Sequence, residues 1–182
     1  YEYPVNTAAH CPWEILHMAI GFGVDAKLRL GGPQGKSVSA IGWLCYNRPC
    51  RGLQLFELHN DMPQPRIGVG LQGHHGQFLS ALALSRVGRD YPIRIAGREF
   101  TVDDLIEYEQ LTCRPRSELT FKLISFVHYL PSDATWTSDT GQAWDIPRLI
   151  KEEIAQPIVG GTCGGTHRIM GLNYAVRKRQ QR

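Results

Sequence analysis

Long apolar runs are missing from this sequence. No stretch approaches the ~18 residues of a membrane-spanning helix, so no transmembrane span is expected. An excess of one charge is missing too. The net charge is +3, and much of it lies in the closing segment Arg177-Lys178-Arg179-Gln180-Gln181-Arg182. No basic face is therefore required, and nucleic-acid binding gains no support. The chain opens at Tyr1 without a methionine or a signal-type apolar segment, which reads as a domain excised from a larger protein. No exact repeat at a fixed period is visible, so a regular solenoid is not indicated.

What is present describes a folded chain. Its 182 residues are 42% apolar and 20% charged, which excludes a disordered chain. A chain of this length buries roughly 70% of its unfolded surface and needs no metal or disulfide to fold. The expected organisation is one helical domain over residues 1–176, followed by a basic polar tail or linker at 177–182. The five cysteines, at 11, 45, 50, 113 and 163, cannot all pair internally. Cys45 and Cys50 flank Asn47 and Pro49, which favour a turn that a disulfide could close. The same spacing is half of a metal site, but a second cysteine pair is lacking. Free, partly buried thiols are the simpler reading.

Apolar periodicity predicts a series of helices. The first covers Trp13 to Phe22 and is apolar nearly all round, so it is expected to be buried. Ser37 reads as the cap of a second helix to Tyr46. Leu53 to Leu58 reads as a short third helix, and residues 60–73, with their prolines and glycines, as a loop. Gln77 to Val87 is a strongly apolar helix. The period changes over 91–100, where Tyr91-Pro92-Ile93-Arg94-Ile95, Ala96-Gly97 and Arg98-Glu99-Phe100 predict a small β-hairpin. Thr101-x-x-Asp104 is a capping box with Asp in place of Glu, opening a helix to about Cys113. Another helix runs from Ser117 or Glu118 to Leu130. Residues 133–143 form a polar stretch. Asp145 caps a helix with Pro147 in its first turn, and a last helix covers Thr166 to Arg179. The predicted class is all-α, with paired helices as αα-hairpins and one small β-hairpin near 91–100.

Three segments invite a chemical reading. Leu30-Gly31-Gly32-Pro33-Gln34-Gly35-Lys36-Ser37 resembles a phosphate loop, but Leu30 stands where the first glycine is needed. A loop with Ser37 as a cap is the stronger reading. Gly73-His74-His75-Gly76-Gln77 precedes an apolar helix, whose free N–H groups and dipole favour anions. One of its histidines is suited to proton transfer near neutral pH. Gly160-Gly161-Thr162-Cys163-Gly164-Gly165-Thr166-His167-Arg168 allows close backbone approach. Thr166 would cap the following helix, leaving Arg168 in its first turn against the dipole. That conflict implies a partner for Arg168, either an acidic ligand or a buried carboxylate. The candidate catalytic residues are thus His75 and His167. The candidate ligand-binding residues are His74, Gln77, Cys163, Thr166 and Arg168. No metal and no cofactor is assigned; a minor alternative places a metal on Cys163, His167 and His74 or His75. His17 and His128 lie within apolar helices and read as core residues. Asp61, Asp133, Asp139 and Asp145 lie in loops or at a cap. Trp136 and Trp144 read as core anchors or a sugar-stacking pair.

At Gly73-His74-His75-Gly76-Gln77-Phe78-Leu79 and Cys163-Gly164-Gly165-Thr166-His167-Arg168 the chain resembles a region of large uncharacterised exported helical proteins of planctomycete-type bacteria. The resemblance covers about residues 67 to 178 and implies an extracytoplasmic location. More distantly, the order is similar to the α/α-toroid of terpenoid cyclases and protein prenyltransferases. The cyclases' Asp-x-Asp-Asp motif is absent, since Asp103-Asp104 lacks the first Asp. The prenyltransferases' zinc set is absent as well. The resemblance therefore implies an architecture and no catalytic residue.

Two functions follow as expectations. The first is a binding or scaffold module of a larger, exported protein, its His/Gly loops lining a groove for a ligand or partner. The partner would be the remainder of the parent chain or another protein, with a small polar ligand as an alternative. The second is an enzyme acting on a carbohydrate or other small polar substrate through histidine acid/base chemistry. Both expect the 73–77 and 160–168 loops to converge.

Overall fold

The computed structural model describes residues 4–157 and 162–181. In chain order the elements are α1 (Pro12–Phe22), β1 (Lys27–Arg29), β2 (Ser37–Ser39), α2 (Ala40–Cys45), β3 (Phe56–His59) and β4 (Met62–Pro65). There follow α3 (Gln77–Leu84), β5 (Pro92–Ile95), β6 (Arg98–Thr101), α4 (Val102–Leu111) and α5 (Thr120–Tyr129). The chain continues through β7 (Thr135–Thr137), β8 (Ala143–Asp145), α6 (Ile146–Ala155) and α7 (Thr166–Gln180). The described residues thus hold seven α-helices and eight strands, the strands forming four separate two-stranded antiparallel sheets.

This corrects the expected all-α class, and with it the reading as αα-hairpins of an α/α-toroid: the fold is mixed, 44% helical and 19% strand. Where a helix was expected from Ser37, β2 runs to Ser39 and only then turns into α2. The cap is Ser39, whose Oγ accepts from the Gly42 N–H at 3.1 Å. Where Leu53 to Leu58 was expected to be helical, β3 forms and pairs with β4. The polar stretch 133–143 holds β7 and the start of β8, with Trp136 opposite Trp144.

Prolines hid β4. His59 pairs with Met62 across Asn60-Asp61, both in the left-handed region, so this is a two-residue mirror-type turn. That turn puts Leu58↔Pro63 and Phe56↔Pro65 at the non-hydrogen-bonded positions of the ladder. Both ring nitrogens then point away from β3, so neither proline removes a ladder bond. The predicted hairpin near 91–100 is present, with Ile93 opposite Phe100 and the left-handed Ala96-Gly97 at its turn.

One chain order recurs three times: helix, hairpin, helix, as α1–β1β2–α2, α3–β5β6–α4 and α5–β7β8–α6. In each case the second strand runs directly into the second helix through a capping group. Ser39 caps α2, Asp145 Oδ1 accepts from the Arg148 N–H at 2.6 Å, and Asp104 Oδ2 accepts from the N–H of Thr101 at 2.7 Å and from its hydroxyl at 2.8 Å. Short polar caps at strand ends, rather than long loops, therefore start these helices.

The chain folds as two compact units. The first comprises Tyr1–Gly73 and Leu84–Leu105; the second comprises His74–Ala83 and Ile106–Arg182. In the first unit α1 packs on α2, burying Ile15, Leu16, Ala19, Ile41 and Leu44. In the second, α5 is the core helix. All its residues from Thr120 to Val127 are buried, and both α6 and α7 pack on it. Each fully buried Leu, Ile or Phe there contributes about 1.5–3 kcal/mol. The basic stretch from Arg177 continues α7 as far as Gln180.

Candidate functional site

The site belongs to the second unit and is built around the start of α5. Lys122 interrupts an otherwise apolar run in this helix and is 2% exposed. Its Nζ lies 2.8 Å from Glu109 Oε2, a carboxylate 1% exposed, and donates to the Glu109 carbonyl and the Thr112 hydroxyl, each at 2.6 Å. The buried cation is thus fully engaged, as a charge in the interior must be.

A second buried carboxylate holds the end of the helix. Glu153 of α6 accepts from the Leu119 N–H through Oε1 and from the Thr120 hydroxyl at 2.6 Å through Oε2. It satisfies a free donor at the helix start and lies at the positive end of the dipole. Arg168 Nε lies 3.5 Å from the same Oε2, and an Arg168 Nη1–H donates to the Gln156 carbonyl at 2.7 Å. The partner implied for Arg168 is this buried carboxylate.

The loop before α3 lies on the same helix. Gly76 has φ +76°, and a Cβ there would stand 3.0 Å from Lys122 Cγ and 3.1 Å from the Lys122 backbone nitrogen. Glycine is required on both counts, conformation and space. This close approach brings His74 against α5. His74 Nδ1 lies 2.7 Å from Glu118 Oε2, and its ring centre is 5.0 Å from that of Phe121. His167, in the first turn of α7, has its ring 5.0 Å from both His74 and Phe121, edge-on to His74 at 87°. His74, Glu118 and His167 each offer a donor atom, and these atoms lie within 4.8 Å of one another. All three residues are partly buried.

The 73–77 and 162–168 segments therefore meet through His74 and His167. The other candidates are placed as follows. His75 is exposed and lies outside the three-residue cluster. Its pKa is lowered, first by desolvation of the part of the ring that neighbouring atoms cover and then by the nearby Lys122 charge, with Glu109 and Glu118 opposing. Gln77 is buried as the first residue of α3. Thr166 is the first residue of α7; its hydroxyl donates to the Cys163 carbonyl at 2.8 Å, while left-handed Gly165 stands at the cap position. Cys163 is exposed and is not one of the clustered donors. Gly160 and Gly161 lie outside the described residues.

The remaining motifs take no part in this cluster. The phosphate-loop-like segment is the tip of the β1–β2 hairpin, with Ser37 in a strand rather than at a helix start. His17 is exposed rather than in the core, its ring tilted 37° against Trp13 and its Nδ1 2.7 Å from the Trp13 carbonyl. His128 Nδ1 lies 2.7 Å from the Tyr174 hydroxyl. Asp61 and Asp139 pair with Arg98 and Arg114. Trp144 is 2% exposed beneath the Arg148 guanidinium, and Trp136 packs edge-on to Phe126. The two tryptophans anchor β7 and β8.

Sequence reasoning missed Glu118, Glu109, Lys122 and Glu153. Lys122 carried a signal, as a lone charge inside the run Thr120-Phe121-Lys122-Leu123-Ile124. Glu118 carried none: an acid just before a helix reads as an ordinary complement to the dipole. No protein-family model matches the chain, and neither the curated proteins nor the solved structures yield a match.

Proposed function

We propose that the chain is a binding module whose ligand site is the His74–Glu118–His167 cluster. The carrying observation is that two histidines from distant segments flank one carboxylate, with every donor atom within 4.8 Å of the others and none fully buried. Such a cluster suits a small polar ligand: imidazoles donate or accept according to tautomer, and the carboxylate accepts. Phe121 supplies an apolar wall beside both rings. The parent-chain or protein partner, and the exported setting, belong to this reading as expectations from the sequence.

A second reading, acid/base catalysis on a small polar substrate, is favoured by one contact. Glu118 within hydrogen-bond distance of His74 Nδ1 fixes the imidazole orientation, as a general base requires. The residue placed to act is His74 rather than His75.

The test is a screen of small sugars, polyols and dicarboxylates against protein with ¹⁵N-labelled histidine, followed by NMR. Binding that shifts His74 and His167 and is lost in His167→Gln supports the module. Binding that leaves these two resonances unmoved, or no binding across the panel, removes it. Turnover of a bound compound that disappears in His74→Gln favours the enzyme.

A further inference from the structure

This inference deepens the binding-module reading and rests on it. We propose that His74, Glu118 and His167 form a three-ligand site for a divalent transition ion of the zinc class, with a coordination position left for an exogenous ligand.

The donor set is the first ground. Two imidazoles and one carboxylate suit zinc and its neighbours in the first transition row; calcium and magnesium take oxygen ligands. Three protein donors on a four-coordinate ion leave one position for water or ligand. Partial burial of all three residues is consistent with that opening. His74 keeps 12% of its side-chain surface and Glu118 keeps 35%.

The ring geometry is the second ground. With metal–nitrogen bonds of about 2.0–2.1 Å and ~1.1 Å from nitrogen to ring centre, two imidazoles on a tetrahedral ion place their centres about 5.2 Å apart. The His74 and His167 centres are 5.0 Å apart. The donor atoms of such a site stand about 3.3 Å from one another. The observed limit of 4.8 Å and the 2.7 Å contact between His74 and Glu118 bracket that value. Small side-chain rotations close the remaining difference.

The scaffold is the third ground. His74 is set against α5 by the close approach at Gly76. His167 directly precedes Arg168, which pairs with Glu153, and Glu153 itself holds the start of α5. Glu118 immediately precedes that start. The three ligands are thus held by contacts that need no ion, which lowers the entropy lost on binding one. Charge agrees with this arrangement. Lys122 and Arg168 are each paired with a buried carboxylate, Glu109 and Glu153, rather than with Glu118.

The full chain, stripped with chelator, is titrated with Zn²⁺ by calorimetry and with Co²⁺ by visible absorption. The expected result is one ion per chain, with the intense d–d bands of a four-coordinate cobalt site. His74→Gln, Glu118→Gln and His167→Gln should each weaken binding by ~100-fold or more, beyond the 10–100-fold typical of outer-shell losses. Cys163→Ser should leave it unchanged. Circular dichroism and thermal melts of the stripped variants establish that they fold. Should one of them not fold, the cobalt spectrum of the native chain still decides, because nitrogen and oxygen ligation lacks the thiolate charge-transfer band of a cysteine site. Absence of a stoichiometric ion overturns the inference, as does binding that survives His167→Gln or depends on Cys163. The histidine NMR screen, run on stripped protein, separates the two readings. Compound binding at His74 and His167 without metal binding sinks the metal alone; failure of both sinks the site.

Discussion

Arg168, half-buried, pairs with the buried Glu153, Nε to Oε2 at 3.5 Å, and the carboxylate in this pair also holds the first backbone N–H before α5. The contact joins α6, α7 and the core helix at one carboxylate. It also accounts for a cation at a helix start, where the dipole is unfavourable.

Removing Glu153 should therefore cost more than removing Arg168. Glu153→Ala leaves the Leu119 N–H and the Thr120 hydroxyl without their acceptor and Arg168 without its carboxylate, and should cost about 2–4 kcal/mol. Arg168→Ala should cost less, because Glu153 keeps two donors. Urea denaturation of both single variants and the double variant reads the coupling. Additive losses would show that the pair does not act as a unit.

Gly76 and Gly97 both sit in the left-handed region, at φ +76° and +81°. At Gly97 an added Cβ meets nothing within 4 Å, whereas at Gly76 it meets Lys122. Gly97→Ala should cost only the conformational strain, about 1–2 kcal/mol. Gly76→Ala should cost at least ~1 kcal/mol more and should also move the His74 resonances, because the loop must lift from α5. Equal losses in the two variants would refute the close approach.

The contrast between these glycines illustrates what was legible in the sequence. The β-hairpin at Ala96-Gly97, the Asp145 cap and the apolar run from Gln77 are local features, so propensity and spacing found them. The β3–β4 hairpin was lost because Pro63 and Pro65 read as loop; their tolerance depends on ladder register, which single residues do not display. Short strands feeding directly into helices at Ser39 and Asp145 were absorbed into the helices or the loops, and this produced the all-α expectation. The two histidine segments were recognisable as unusual. Their shared carboxylate was not, since nothing in the sequence says that Glu118 turns toward His74. Likewise Arg168 advertised a missing partner, but Glu153 could be named only once α6 was placed.

The Lys122–Glu109 pair is almost entirely enclosed. Lys122→Met alone strands a carboxylate in the interior and should cost about 3–5 kcal/mol. Lys122→Met with Glu109→Leu should recover most of that loss, because apolar side chains of similar volume avoid desolvation. Melting curves of the single and double variants make the check. A double variant as unstable as the single one would mean that the pair contributes more than mutual neutralisation, through its bonds to Thr112 and the Glu109 carbonyl.

The thiols should divide sharply in reactivity. Burial pushes the Cys50 thiol up to about 12 and raises Cys45 and Cys113 as well. Cys11 is buried too, while Cys163 is exposed, and all five are free thiols. Ellman's reagent at pH 8 should titrate one fast thiol in the native chain and all five after unfolding. Cys163→Ser should abolish the fast phase. A fast phase that survives the substitution, or a disulfide between Cys45 and Cys50 found by mass spectrometry, would contradict this arrangement.

Glu14 supplies the pH dependence in the first unit. Its Oε2 accepts from the Cys11 N–H at 2.8 Å, closing the first turn of α1. That backbone hydrogen bond, followed by the Cys11 side chain, lowers its pKa below the ordinary 4.5; partial burial opposes this, and His10 and Arg51 pull further down. A carboxylate lowered in the folded state binds its proton more weakly there than in the unfolded chain. Its contribution is present above pH 4.5 and fades as pH falls through the folded value. Glu14→Gln should thus be less stable than the native chain at pH 7 by about 0.5–1 kcal/mol, the low end for a capping group that faces solvent. The two proteins should converge as the pH drops below 4. Parallel denaturation midpoints measured from pH 7 to pH 3 make the comparison. A gap that stays constant across this range would show that the ionised form of Glu14 contributes nothing beyond an acceptor oxygen.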